Sequence, residues 1–436
     1  MEDSYSLIES KIKSRDMTVT VMGLGYVGLP IALEFVKKGF DVRGLENNKR
    51  RLSKLREGVS YIEDIDDEAI KTAMKKGDFK VTSDVRTLAA SDAVIVCVPT
   101  PLRKTKDPDI SYILHAARSI SANMRQGQLI IIESTTYPGT TRDVILPELR
   151  KSGFVEGSDF FLAFSPERID PGNADYGLVN IPKVIGGLTE KGTRLGAELY
   201  SSIIKKVVSV PTAEIAEVTK LLENTFRIVN IALINEFAML CRKLDINVWE
   251  VINAASTKPF GFMPFYPGPG IGGHCIPADP MYLSWKADTV GFKTRIIDLA
   301  SEINRFMPEY VSQRARQILK VSGTKIRGAK VLISGVAYKK DVNDLRESPA
   351  LEVIKSLRRS GVEISYHDPF IPYLDVHGIK NRSAALRPAS LKDKDLVMVL
   401  TDHSCVDYGM LKRNSKRILD TRNVYDENEE KNIFTL

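Results

Sequence analysis

Covalent chemistry in this chain would centre on Cys275. It stands in Tyr266–Leu283 (YPGPGIGGHCIPADPMYL), beside His274 and four residues before Asp279. Glycine costs backbone entropy and proline removes a donor, so the run reads as a shaped loop rather than the middle of a helix or strand. A loop held in one shape around a thiol suits a nucleophile; a glycine-rich connection carrying an inert cysteine is the plain alternative. Upstream, Lys220 and Asn224 are four apart in a long apolar helical pattern and so face the same way. Polar groups in apolar surroundings need partners, which would be either a buried structural network or a ligand oxygen. In Ser165–Gly172 (SPERIDPG), Glu167 can act as a general base or hold a water, or Arg168 simply neutralises it.

Cofactor chemistry is marked near the start. Gly23, Gly25 and Gly28 form GxGxxG between a strand at Thr18–Met22 and a helix that Gly39 ends, and a second strand finishes at Glu46. The first glycine allows a tight turn, the second lets a pyrophosphate approach backbone, and the third permits close helix packing. Phosphates then meet the helix amino terminus. Tyr26 and Val27, in the same turn, belong to the expected cofactor set. Glu46 is placed to accept from the adenosine ribose hydroxyls, which favours NAD over NADP. Lys49 and Arg50 follow closely, yet a carboxylate aimed at the ribose would repel a 2′-phosphate, so NAD stands. Short apolar strands then alternate with turns, and ligands lie at the carboxyl ends of such strands. Pro99, Thr100, Thr136 and Glu167 are therefore site candidates, with turn or helix-cap roles as the alternative.

These residues need a large frame, and 436 residues supply two or three domains. The expected class is α/β: two Rossmann-like parallel-sheet domains joined by a central helical domain with a long helix. The expected division is a polar lead at 1–16, an NAD-binding domain at 17–210, a central helical domain at 211–320 carrying the loop and a dimer contact, and a second Rossmann-like domain at 321–436. The long helix runs from Pro211 to about Leu244, and Asp279-Pro280 reads as the start of a later one. In the last third, AYKKDVNDLRESP offers Lys339, Lys340 and Arg346 to phosphates, although neighbouring carboxylates can equally pair them off. Arg422, at a strand terminus, is another possible anion contact.

Composition sets limits. Apolar residues make up 43% and charged residues 27%, ordinary values for a globular chain. The net charge of +7 is spread over scattered basic residues without an aromatic-interleaved stripe, which ranks small phosphate-bearing ligands ahead of nucleic acid. Apolar runs are too short to span a bilayer, and the first residues lack a signal-peptide pattern, so a cytoplasmic location without membrane insertion is expected. The four cysteines are far apart with no CxxC pairing, which suggests neither a disulfide framework nor a metal site.

Seven stretches, VMGLGYVGLP, ESTTYPGT, FSPERIDPG, EVTKLLENTFR, FYPGPGIGGHCIPADP, GVAYKKDVNDLRESP and ILDTRN, resemble in order the UDP-glucose/GDP-mannose dehydrogenase family, nearly end to end. Within it, FGFMPFYPGPGIGGHCIPADPMYL looks most like the bacterial UDP-N-acetylglucosamine 6-dehydrogenases, which supply uronic acids for surface polysaccharides. The resemblance implies that Cys275 is the nucleophile, Lys220 and Asn224 stabilise an oxyanion, and Asp279 lies beside them. Glu167 and Thr136 match residues that handle water and protons. Arg346 matches a cofactor-side contact, and Lys339 and Arg422 match contacts to the nucleotide sugar, a set that also takes in Glu167, Arg168, Lys220, Asn224, Tyr266 and Gly272. A homodimer through the central helices and a UDP-hexose substrate are implied too. One departure stands out: relatives acting on UDP-glucose carry an arginine before the glycine loop, whereas STKPFGFMPF here has only Lys258. His274 replaces the small residue usual in those relatives, and its ring can lower the thiol pKa if it lies near the sulfur.

The implied reaction is a four-electron oxidation. NAD takes a hydride from C6, Cys275 adds to the aldehyde, a second NAD takes the next hydride, and water activated by Glu167 or Asp279 hydrolyses the thioester. The loop glycines would let a bulky sugar nucleotide pass close to backbone. UDP-N-acetylglucosamine is the expected substrate, with UDP-N-acetylmannosamine or another nucleotide sugar as the alternative, since one hydrogen bond can separate C2 epimers. A non-catalytic NAD-binding regulator is the reading from another class. A two-electron hydroxyacid dehydrogenase is a third, and it would not need the thiol.

Overall fold

The computed structural model describes residues 3–62, 65–103, 107–169, 176–273, 275–376, 379–425 and 432–436. The chain forms two compact units, Met1–Glu223 with Met281–Phe292, and Asn224–Pro280 with Lys293–Leu436.

The first unit is built on β1 (Thr18–Met22), β2 (Asp41–Leu45), β3 (Phe79–Thr82), β4 (Ala93–Val96), β5 (Gln128–Ile132), β6 (Phe160–Phe164), β7 (Lys183–Gly187) and β8 (Val207–Ser209). Their order in the sheet is β3-β2-β1-β4-β5-β6-β7-β8. The first six are parallel in the doubly wound dinucleotide-binding order; β7 turns antiparallel to β6. The runs AVIV, QLIII and FFLAF are buried along their whole length, as a sheet covered on both faces requires. The helix Gly28–Lys37 seals one face with Leu29, Ile31, Ala32, Leu33, Phe35 and Val36. At the start of the chain, Ser4–Ser14 is itself a helix that buries Ile8 and Ile12 in the same core.

In the second unit, β9 (Lys330–Ser334), β10 (Glu363–His367), β13 (Leu396–Val399), β14 (Ile418–Asp420) and β15 (Ile433–Thr435) form a parallel sheet in the order β10-β9-β13-β14-β15. A hairpin, β11 (Tyr373–Val376) with β12 (Ile379–Arg382), stands apart from it. The helices Arg295–Val321 and Pro349–Arg359 bury Val311, Ala315, Ile318, Val353, Ile354 and Leu357 against this sheet. Between the two sheets in sequence lie the 31-residue helix Ala213–Lys243 and the 27-residue helix Arg295–Val321. The architecture is thus two Rossmann-like α/β domains with a central region of long helices, as the sequence leads one to expect. No helix among the described residues is long and apolar enough to cross a membrane.

Candidate active site

The helix expected to open at Asp279-Pro280 opens instead at Cys275 and runs to Thr289. Pro277 falls in the first turn, where its missing N–H would have had no intrahelical partner, so it starts the helix rather than blocking it. Pro280, further in, forfeits only one bond. This earlier start places the exposed Cys275 thiol at the first helical residue, where the positive end of the peptide dipole favours a thiolate. One turn on, the buried Asp279 accepts a 2.6 Å hydrogen bond from Asn224 Nδ2. Lys220, also buried, is one turn before Asn224 on the long helix. His274 lies outside the described residues.

What shapes the loop before the thiol is protein. A Cβ on Gly272 would meet Tyr338 Cβ at 2.6 Å, one on Gly273 would meet the Tyr338 ring at 2.9 Å, and one on Gly268 would meet Arg422 Nη1 at 2.8 Å. Gly273 also has φ +82° and donates its N–H to the Arg346 carbonyl. The reason inferred from sequence, room for a sugar nucleotide, is therefore corrected at these glycines: they make way for Tyr338 and Arg422. Gly268 N–H donates to Asn235 Oδ1 at 3.0 Å, and Asn235 Nδ2 in turn donates to Asn304, so two buried asparagines tie the loop to two helices. Tyr266, at the loop's start, is exposed and stacks on Trp249 with ring centroids 5.7 Å apart. Lys258 Nζ lies 5.0 Å over the Phe260 ring.

In the second sheet's loops, Arg422 Nε donates to the Leu400 carbonyl at 2.8 Å, which points the guanidinium toward Gly268. Lys339 is half-buried. Arg346 is exposed and pairs with Asp344 at 2.7 Å, the self-neutralised arrangement that its sequence neighbours allow.

On the cofactor side, Gly23 takes φ +88° and a Cβ there would strike the Cys97 carbonyl at 2.6 Å; on Gly28 it would sit 2.0 Å from the Gly23 carbonyl. At Gly25 nothing lies within 4 Å, which leaves open the approach that a pyrophosphate needs. Tyr26 beside it is exposed and Val27 half-buried. Glu46 is buried at the end of β2; its carboxylate accepts from the N–H groups of Asn48 at 2.8 Å and Leu24 at 3.2 Å. The cation nearest it is Arg51, at 3.7 Å, rather than Lys49 or Arg50. Pro99 is exposed after β4, and the buried Thr100 carbonyl accepts the Tyr282 hydroxyl. Thr136 is 2% exposed, and its Oγ1 is a buried polar atom with no protein partner. An open glycine, a ribose-height carboxylate and an orphan hydroxyl at the strand ends fit a dinucleotide.

Glu167, just past β6, has three of its carboxylate's roughly four acceptor positions taken, with one left on Oε2. Oε1 accepts from the Arg168 and Ile169 N–H groups, each at 2.6 Å, and Oε2 accepts from Lys183 Nζ at 3.2 Å. Burial would raise its pKa, but Lys183 and the two N–H groups outweigh it, so Glu167 stays below the ordinary carboxylate range. Arg168 does not neutralise Glu167 through its side chain; the guanidinium pairs with Glu223 at 2.6 Å and the Pro182 carbonyl at 2.7 Å. Sequence reasoning missed Lys183 and Glu133. The signal was there: a lysine opening an otherwise apolar strand that is buried throughout, and a glutamate closing LIII.

Family comparisons agree along the chain. The UDP-glucose/GDP-mannose dehydrogenase family's NAD binding domain matches residues 17–204, its central domain 214–306 and its UDP binding domain 332–427. A UDP-N-acetyl-D-mannosamine dehydrogenase of Pyrococcus horikoshii is 36% identical over 418 residues, 94% of this chain and 96% of its own. A UDP-N-acetyl-D-glucosamine 6-dehydrogenase of Pseudomonas aeruginosa is 38% identical over 360 residues, 82% of this chain and 84% of its own. The solved structure of the Pyrococcus horikoshii UDP-D-ManNAc dehydrogenase superposes with a TM-score of 0.87 at 35% identity, covering 96% of this chain and 98% of that one. Together with similar archaeal enzymes from Methanococcus species, these matches overturn the expected kinship with the bacterial UDP-N-acetylglucosamine branch. That expectation leaned on one loop, whose residues hold the thiol and the turn around it; similarity along the full length weighs more. NAD is the cofactor that the first domain binds. The chain belongs to the UDP-glucose/GDP-mannose dehydrogenase family and is an NAD-dependent nucleotide-sugar dehydrogenase.

Proposed function

We propose that the chain oxidises the C6 alcohol of UDP-N-acetylmannosamine to the uronate in two steps, with Cys275 holding the intermediate. The observation that carries the covalent route is the exposed thiol at a helix amino terminus, one turn from the buried Asp279–Asn224 pair. The full-length likeness to archaeal UDP-N-acetyl-D-mannosamine dehydrogenases supports the sugar. Gly23, Gly25, Gly28, Tyr26, Val27, Glu46, Pro99, Thr100 and Thr136 would hold NAD, which when bound supplies the hydride acceptor for both oxidations. The Cys275 thiolate adds to the C6 aldehyde, and the alkoxide of the thiohemiacetal is met by the Lys220 ammonium and the Asn224 amide. Asp279 orients that amide. Oxidation of the adduct leaves a thioester, and Glu167, kept ionised by Lys183, takes the proton of the attacking water. Lys339 and Arg422 serve the diphosphate side.

The exposed apolar residues Phe226, Leu233, Phe237 and Leu240 on the long helix, with Leu244 just past its end, follow a seven-residue rhythm, which favours cover by a second copy of the chain. The substrate reading is tested by offering UDP-N-acetylmannosamine, UDP-N-acetylglucosamine, UDP-glucose and UDP-galactose separately and following NADH. The highest kcat/KM is expected with the mannosamine sugar. A preference for any other sugar would reassign the substrate, and no NADH with any of them would remove the enzyme reading.

A further inference from the structure

Behind Glu167 lies a buried chain of ionisable groups that the reaction as described leaves unused. Lys183 Nζ, 4% exposed as a side chain, donates to Glu167 Oε2 at 3.2 Å, to Glu133 Oε2 at 2.7 Å and to the Pro166 carbonyl at 3.3 Å. Its three protons are thereby all placed. Glu133, fully buried at the end of β5, accepts on its other oxygen from the Tyr200 hydroxyl. Among the described residues, Cys97 after β4 is a further titratable group that this cluster senses, so neighbouring elements contribute one group each: Cys97, Glu133, Glu167, Lys183 and Tyr200. One cation between two carboxylates leaves a buried excess of one negative charge, which a single proton cancels.

We infer that Glu133 takes over, through Lys183, the proton that Glu167 removes during the reaction. The Lys183 ammonium passes to Glu133 Oε2 the proton it directs there, and the nitrogen lone pair this frees then turns to receive the one on Glu167 Oε2. One proton moves, Lys183 remains an ammonium, and Glu167 is again a carboxylate. This inference rests on the base role proposed for Glu167. The direction is set by environment. Burial pushes Glu133 up to about 7 against the pull of Lys183, whereas Glu167 is held below its ordinary value, so the proton runs downhill to Glu133. Burial would lower Lys183, but the two carboxylates outweigh it and raise it, which suits a bridge that stays charged. The oxidation of an alcohol to a carboxylate with two hydride transfers releases protons at the site, and a sink that ionises near neutrality empties between turnovers. Glu133 and Lys183 act through Glu167 and are assigned no contact with substrate.

The test compares Glu133→Gln, Tyr200→Phe and Glu167→Gln with the wild-type enzyme. In the wild type, kcat should rise with pH through a group near 7. Glu133→Gln should erase that ionisation and lower kcat about tenfold at pH 8 with KM unchanged, a limb typical of a lost proton acceptor. Tyr200→Phe removes a donor to the ionised carboxylate and should move the limb upward. Infrared titration of the ligand-free protein provides a readout apart from turnover: burial pushes Glu217 up to about 7 as well, so two protonated carboxyls should fade near pH 7 in the wild type, and the Glu133 component should be missing in Glu133→Gln. If the absorbance lost near pH 7 is the same in Glu133→Gln as in the wild type, or if Glu133→Gln keeps the limb and the rate, the relay is wrong. A Glu167→Gln enzyme that accumulates thioester alongside an unaltered Glu133→Gln profile would sink the relay alone. A Glu167→Gln enzyme with wild-type kcat would sink the base role and the relay with it.

Discussion

Gly25 and Gly28, three residues apart in the first turn, do different work, and substitution separates them. A Cβ on Gly28 would sit 2.0 Å from the Gly23 carbonyl, so Gly28→Ala forces backbone apart. It should destabilise the first domain by about 1–3 kcal/mol, as overpacked cores do. Gly25 has nothing within 4 Å, so Gly25→Ala should fold with its melting temperature nearly unchanged. Its methyl would occupy the pyrophosphate's approach, and NAD affinity should fall about tenfold or more, equal to ~1.4 kcal/mol. Calorimetric melting beside NAD titration checks both. Equal loss of stability in the two variants would mean that Gly25 is a packing glycine. At the same scale, Cys275 shows how a local rule misled: prolines at 277 and 280 argued for a loop, yet proline near a helix start is permissive, and the thiol gained a helix terminus.

Among the elements, the long helix Ala213–Lys243 carries the most. Its polar positions Lys220 and Asn224 are buried, while Phe226, Leu233, Phe237 and Leu240 are left exposed farther along. Asn230 stands within that stripe and turns its amide back to the Phe226 carbonyl at 2.7 Å, so it interrupts the apolar rhythm without opposing it. A charge placed in such a seam should split a dimer. Phe237→Asp with Leu240→Asp is expected to sediment as a monomer, whereas the parent chain should sediment as a dimer. A parent chain that sediments as a monomer at micromolar concentration would remove the second copy from the account. The helix's length and its buried pair were legible from apolar spacing. Which face stays open was not, because that depends on what the remaining helices cover. Similarly, the strand rhythm of the first domain was readable in AVIV, LIII and FFLAF, but the hairpin Tyr373–Val376 with Ile379–Arg382 offered only four residues per strand and mixed polarity. Lys183 escaped notice for a related reason: a charged residue in a buried strand reveals its purpose only when Glu133 and Glu167 come from two other strands to meet it.

For the whole molecule, the division of labour follows the order of the chain: a cofactor-binding sheet first, helices with the thiol next, and a second sheet with Lys339 and Arg422 last. The glycine fingerprint and the acid at the end of β2 could be read in sequence because each is a local pattern with one physical cause; the helix that opens at Cys275 could not, because its prolines read as loop. The sugar could not, since its recognition rests on a few contacts that no spacing rule encodes. The central claim is that one protein carries the substrate through both oxidations on Cys275. It is tested most directly by counting NADH formed for each uronate released, in the parent enzyme and in Cys275→Ala. The account predicts two NADH per uronate in the parent, and no uronate from the variant although NAD still binds. One NADH per product, or a normal yield of uronate from Cys275→Ala, would contradict it.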